Sequence, residues 1–178
     1  WLSRDFNYDR GFDLFYDSKS NPGMLARART KLKTYANRDG LLYRTAQRVY
    51  DTVEREAGID IGQTYRNAEL TTNRALEWVS SFDRPFFLWV HYMDVHHPCF
   101  PPSEYREQFN VPASVTAEDV SNLYSMFVRN PEELDEDDVG LLERLYDAAI
   151  DYVDDQIGRV LDALQQKGIL DNTLVIVT

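Results

Sequence analysis

The most restrictive stretch of this sequence is its C-terminal part, where a long amphipathic helix, a short turn and an apolar run follow one another. Leu142, Leu145, Tyr146, Ala149, Ile150, Val153, Ile157, Val160, Leu161 and Leu164 recur at spacings of three and four, which gives a helix one apolar face. Lys167-Gly168 then supplies a cation for the last turn and a residue that accepts a left-handed cap. Asp171-Asn172 turns the chain into Thr173-Leu-Val-Ile-Val-Thr178. That run is apolar on both sides, as a buried parallel strand requires. Helix, tight turn and buried strand together predict an α/β fold, a mostly parallel sheet covered by helices.

The rest of the chain reads in the same terms. Residues 1–23 are polar and aromatic with Gly11, Asn21, Pro22 and Gly23 as breakers, and predict loop and turn. Met24 to Arg38 is rich in helix formers and closes at Asp39-Gly40. Leu42, Ala46, Val49, Val53 and Ala57 place an amphipathic helix over 41–57, ended by Gly58. Ala68, Leu76, Val79 and Phe82 place another over 64–81. Phe86 to Tyr92 is a second two-sided apolar strand. The proline-rich stretch 98–130 reads as an excursion over the sheet edge. Pro131-Glu-Glu-Leu-Asp-Glu-Asp-Asp138 puts acid at a helix start, where the macrodipole favours it; this is a solvated terminus, not a metal site.

Composition narrows the function classes. Thirty acidic against 19 basic residues leave a net charge of −11, which excludes the basic face that nucleic-acid binding needs. The basic residues are mostly Arg, with only Lys19, Lys31, Lys33 and Lys167 as lysines; an acidic, Lys-poor surface suits a high-salt, halophilic setting as well as an ordinary acidic protein. No apolar run reaches the ~20 residues of a membrane helix. The single Cys99 allows no intrachain disulfide. A start at Trp1 in loop-like sequence and a stop inside an apolar strand predict an internal piece of a longer protein, so cytoplasmic and secreted locations both stay open.

All three histidines, His91, His96 and His97, lie in Pro85-Phe-Phe-Leu-Trp-Val-His-Tyr-Met-Asp-Val-His-His-Pro98. In open α/β sheets ligands bind beyond the carboxyl ends of strands, so the loop after Tyr92 is the natural place for chemistry. A zinc site from His91, Asp94, His96 and His97 has the right ligand types, but the spacing matches no common zinc motif and side chains of adjacent residues diverge. Asp94 reads either as a turn residue or as a carboxylate orienting a histidine ring. Asp151 and Asp155 read as a solvated helix face, and Asp154 sits at the edge of the apolar stripe. Gly158, unfavourable inside a helix, predicts close packing against a neighbouring element.

Three stretches together resemble the sulfatase family of the alkaline-phosphatase-like superfamily. Tyr8-Asp-Arg-Gly-Phe-Asp13 is similar to its "G-Y-D-x-G-F-D" segment, and Pro85–Pro98 resembles its "P-F-F-L-x-V-x-x-x-D-P-H-x-P" strand and loop. Tyr146-Asp-Ala-Ala-Ile-Asp-Tyr-Val-Asp-Asp-Gln-Ile-Gly158, with Asp171–Thr178, resembles the helix and strand that lead into its "S-D-H-G". The resemblance implies a three-layer α/β/α sandwich, with 1–178 as part of a single catalytic domain. It implies a hydrolase of sulfate esters, small molecules or glycans, that uses Ca2+ and a formylglycine nucleophile. The family's aspartate pair and its C-x-P-S/A-R nucleophile are not in these 178 residues. Cys99-Phe-Pro-Pro-Ser103 has Ser103 where that motif needs Arg, so Cys99 is no nucleophile.

By the same resemblance, His96 matches the histidine that binds the sulfate and its ester oxygen, and is the one catalytic residue carried over. An imidazolium there would offset developing negative charge and help protonate the leaving group. Val95 stands where the family has Pro, which loosens the loop. His97, at a variable position, is assigned to the substrate rim, with Tyr92 and Phe100 as further wall, and His91 to the strand. No metal ligand is assigned. Two other readings stay open: a phosphoryl-transfer relative such as a phosphonate monoester hydrolase or phosphodiesterase, and a non-catalytic α/β binding protein.

Overall fold

In a computed structural model of the protein, which describes residues 7–16 and 67–178, the C-terminal periodicity becomes a helix of 31 residues, Glu136–Gln166. The chain divides into two units, 1–67 and 68–178. In the first, residues 7–11 form a turn in which Asn7 (φ 60°) and Gly11 (φ 88°) adopt left-handed backbone. The expected helices over 24–38 and 41–57 lie outside the described residues.

The second unit carries α1 (Ala68–Ser81), α2 (Ser103–Gln108), α3 (Ala117–Arg129) and α4 (Glu136–Gln166). The acidic run before α4 serves as its cap. The Asp135 carboxylate accepts from the Asp138 N–H at 2.8 Å, and the Asp138 carboxylate accepts from the Asp135 N–H at 3.4 Å. Glu136, Asp137 and Asp138 fill the first turn, where the helix field favours anions. At the other end Gly168 takes φ 72°, and the Ile169 N–H closes on the Leu164 carbonyl at 3.0 Å.

The buried face of α4 is rotated from the expected one. Leu145, Ala148, Ala149, Tyr152, Val153, Gln156 and Leu164 are buried, whereas Tyr146 and Ile150 are 43% and 45% exposed. Two of the buried residues are polar enough to escape a purely apolar pattern. Each is satisfied: the Tyr152 hydroxyl accepts from the Glu69 N–H at 3.0 Å, and the Gln156 amide oxygen accepts from Arg159 at 2.6 Å. Arg159 also donates to Asn73 at 2.6 Å and so ties α4 to α1.

Helix α1 lies along α4 through Ala68, Thr72, Ala75 and Val79, all buried and mostly small, which lets the backbones come close. Both of its ends are closed by residues distant in sequence. The Ala68 N–H donates to Asp94 Oδ1 at 2.9 Å. Lys167 Nζ donates to the carbonyls of Val79 (2.6 Å), Ser80 (3.3 Å) and Phe82. Lys167 therefore caps α1, not only its own helix. Two clusters complete the packing: Ala68, Tyr152 and Val153 with Tyr92, Val95, Tyr105 and Ile157, and Val111, Val120 and Leu145 with Phe100, Val115 and Leu141.

Two expectations need correction. The stretch 98–130 is not a bare excursion, because it folds into α2 and α3. A capping box starts α3: Thr116 Oγ1 accepts from the Asp119 N–H, and the Asp119 carboxylate accepts from the Thr116 N–H at 2.9 Å. The hydrogen bonds from Thr116 hold the Asp119 carboxyl below the usual carboxylate range. The described residues contain no paired strand. A strand exists only by its ladder, and 86–92 and 173–178 have none among the described residues. Along 86–92 exposure alternates: Phe86, Leu88, Val90 and Tyr92 are half-buried, while Phe87, Trp89 and His91 are exposed. Phe86 meets Phe82 at 4.8 Å, and Tyr92 bonds Thr72 at 2.8 Å, so one face of this segment lies on α1. Leu174, Ile176 and Val177 are exposed, at 69–85%.

Gly158 is the second correction. A Cβ built there meets nothing within 4 Å, so no neighbouring element requires the glycine. Gly158→Ala is expected to stabilise the protein by about 1 kcal/mol through helix propensity alone, read as a raised denaturation midpoint.

Candidate functional site

The loop after Tyr92 begins with a turn in which the His96 N–H donates to the Met93 carbonyl at 2.9 Å. Across this turn the side chains change sides. Asp94 and Cys99 point inward and are 7% and 6% exposed, while His96 and His97 are on the surface. Val95, in the place of the family's proline, packs against the Ala68–Tyr152–Val153 cluster. The loop is thus held by burial at 95 instead of by a rigid φ.

Asp94 does structural work. Its carboxylate accepts from the first N–H of α1, in a place where a buried donor left alone would be costly. Of the two readings, the turn residue holds, since Asp94 lies in the turn 93–96, and its carboxylate also caps α1 from 26 positions away. Tyr92 and Phe100, expected as site wall, also face inward. Tyr92 bonds Thr72, and Phe100 lies under the Arg106 guanidinium, 3.9 Å from the ring centre. Asp155, expected to be solvated only, accepts from the Tyr105 hydroxyl at 2.8 Å. Burial first, then that carboxylate, pushes the Tyr105 phenol up to about 12.

The surface side of the loop holds His96 and His97. His96 Nδ1 lies 2.9 Å from the His97 carbonyl oxygen. A carbonyl only accepts, so Nδ1 carries the proton and a second proton would go to Nε2. His97 precedes a cis peptide bond to Pro98. Its ring stacks on Tyr124 of α3, with centroids 4.6 Å apart and planes 20° apart, and lies 6.3 Å from the Tyr146 ring of α4. His91 stays apart on the outer face of the extended segment, where desolvation lowers its pKa.

Sequence reasoning missed Tyr124 and gave Tyr146 to the core. The signal for Tyr124 was the Thr-x-x-Asp box at 116–119, which starts a helix that carries residue 124 to the loop.

Among the described residues, no group of three or more His, Cys, Asp or Glu side chains could hold a metal ion, and this includes the His91–Asp94–His96–His97 set. The lone thiol is unsuited to nucleophilic chemistry, because burial and then the Asp94 charge push Cys99 up to about 11. Iodoacetamide at pH 9 is expected to leave Cys99 unmodified in the folded protein and to alkylate it after denaturation. Since the folded thiol titrates above its ordinary value, its stabilising effect is present below about pH 9 and is lost as pH rises through about 11. Equally rapid labelling of both states would contradict the burial.

The family model for sulfatases matches residues 1–178. The chain belongs to the sulfatase family. It is also similar to the uncharacterized sulfatase YidJ of Escherichia coli (strain K12), with 33% identity over 132 residues. That match covers 66% of this chain and 26% of YidJ, so the chain matches about a quarter of its relative's length. No solved structure matches it. Membership implies an alkaline-phosphatase-like α/β fold, of which the described residues supply helices. Sulfatases generally use Ca2+ and a formylglycine, and the described residues fit neither group: they hold no ligand cluster, and their one cysteine is buried outside a C-x-P-S/A-R motif. Among the described residues, no helix is long and apolar enough to cross a membrane.

Proposed function

We propose that this sulfatase-family chain is the histidine-bearing part of a sulfuric ester hydrolase, with His96 on the sulfate and His97 on the substrate rim. The observation that carries the reading is the His96 ring, at the surface of the family's motif loop and oriented by a hydrogen bond from Nδ1 to the next carbonyl. Fixed in that tautomer, a protonated imidazole presents Nε2–H to an anionic oxygen. It would stabilise charge that grows on the ester oxygen as the sulfur–oxygen bond breaks, and donate its proton there. The sulfur-attacking group and its counterions belong to residues other than these.

In this reading, residues 1–178 form part of one catalytic domain, a three-layer sandwich in which 86–92 and 173–178 are strands of the central sheet. The exposed Phe87, Trp89, Leu174 and Ile176 support it, since apolar side chains in such number call for a covering layer. The substrate is a sulfated small molecule or glycan.

The test is turnover by the full-length protein that carries this chain. Hydrolysis of 4-nitrophenyl sulfate that is faster than hydrolysis of 4-nitrophenyl phenylphosphonate supports the sulfatase reading. The reverse preference moves the protein to phosphoryl transfer, and loss of both leaves a non-catalytic binding protein.

A further inference from the structure

We propose that Tyr152 is a positioning residue for His96: its buried hydroxyl fixes the start of α1, to which the motif loop is pinned. This rests on the assignment of His96 to the sulfate.

The Tyr152 ring is 4% exposed and packs with Ala68 and Val153. A phenylalanine would fill that place with no hydroxyl to satisfy. What the hydroxyl adds is one bond, from the Glu69 N–H at 3.0 Å. The N–H before it, on Ala68, goes to Asp94 of the motif loop at 2.9 Å. The first N–H groups of a helix have no partner within it. Here two in succession are taken, one by the loop that carries the histidines and one by α4. The start of α1 is thus the joint between that loop and α4. Val95 adds a second tie, because it packs against the cluster that contains Tyr152. Asp94 and Val95, the two residues before His96, therefore both rest on groups that Tyr152 holds in place. The His96 N–H closes the same turn on the Met93 carbonyl, so a shift of residues 94 and 95 moves His96. Arg159 also joins the two helices, donating to Asn73 at 2.6 Å, but it does so further along α1 and away from its first turn.

The experiment measures hydrolysis of 4-nitrophenyl sulfate by the full-length protein and its Tyr152→Phe and Asn73→Ala variants, with chemical denaturation of each. Phenylalanine keeps the ring and removes only the bond to α1. Tyr152→Phe is expected to lower kcat about tenfold with KM within about twofold of wild type, since a slightly displaced donor loses more in the transition state than in binding. Asn73→Ala loses a bond between the same two helices, and should lower the denaturation midpoint while kcat stays within about twofold. An unchanged kcat in Tyr152→Phe overturns the proposal. So does an equal fall of kcat in both variants, because the hydroxyl would then serve stability alone. A wild-type protein inert towards sulfate esters, or a fully active His96→Ala protein, overturns the reading of His96 itself and this inference with it.

Discussion

Replacing His96 by alanine in the full-length protein is expected to lower kcat for an aryl sulfate by about a hundredfold or more, the usual effect of removing one donor from a developing oxyanion. The melting temperature should stay near the wild-type value. His96 is at the surface, and the bond from its ring Nδ1 goes to the adjacent residue's carbonyl. His96→Gln keeps a donor but cannot deliver a proton at neutral pH, and should recover binding of inorganic sulfate better than turnover. Full activity in His96→Ala would remove the residue from the site.

The largest effect on stability is expected at Asp94. In Asp94→Ala the Ala68 N–H, on a residue that is 0% exposed, loses its acceptor with no water to replace it. Loss of a cap together with a buried unsatisfied donor amounts to about 3 kcal/mol. Asp94→Asn keeps an oxygen in place and should recover most of the loss, as measured by chemical denaturation. Because His96 lies two positions on, Asp94→Ala should also lower kcat in the molecules that remain folded. A stable, fully active Asp94→Ala protein would show that the cap does not hold the loop.

Much of this was legible in the sequence because it depends on local rules. The start of α4 follows from acid at a helix N-terminus, its end from Lys167-Gly168, and the surface position of His96 from its place in the motif loop. What escaped depends on partners that are distant along the chain. Nothing near Asp94 tells that its acceptor is used by Ala68, and nothing near Lys167 tells that it reaches back to Val79. Tyr152 and Gln156 look polar, yet they are buried because Glu69 and Arg159 satisfy them. The two apolar runs were read as strands from composition, but pairing is a property of two segments and no single one encodes it. The Thr116–Asp119 box was a local signal, and it was hidden by the prolines around it.

The loop between Tyr92 and Phe100 divides its labour by side. Positions 94, 95 and 99 face the packed interior and hold the fold, while 96 and 97 face outward and are the two proposed to meet the substrate. The two duties are written on different residues. A lineage can therefore exchange the residue at 97 without touching the cap on α1 or the residue proposed to hold the sulfate beside it. Freedom to vary the exposed surface is built into the sidedness of a short turn.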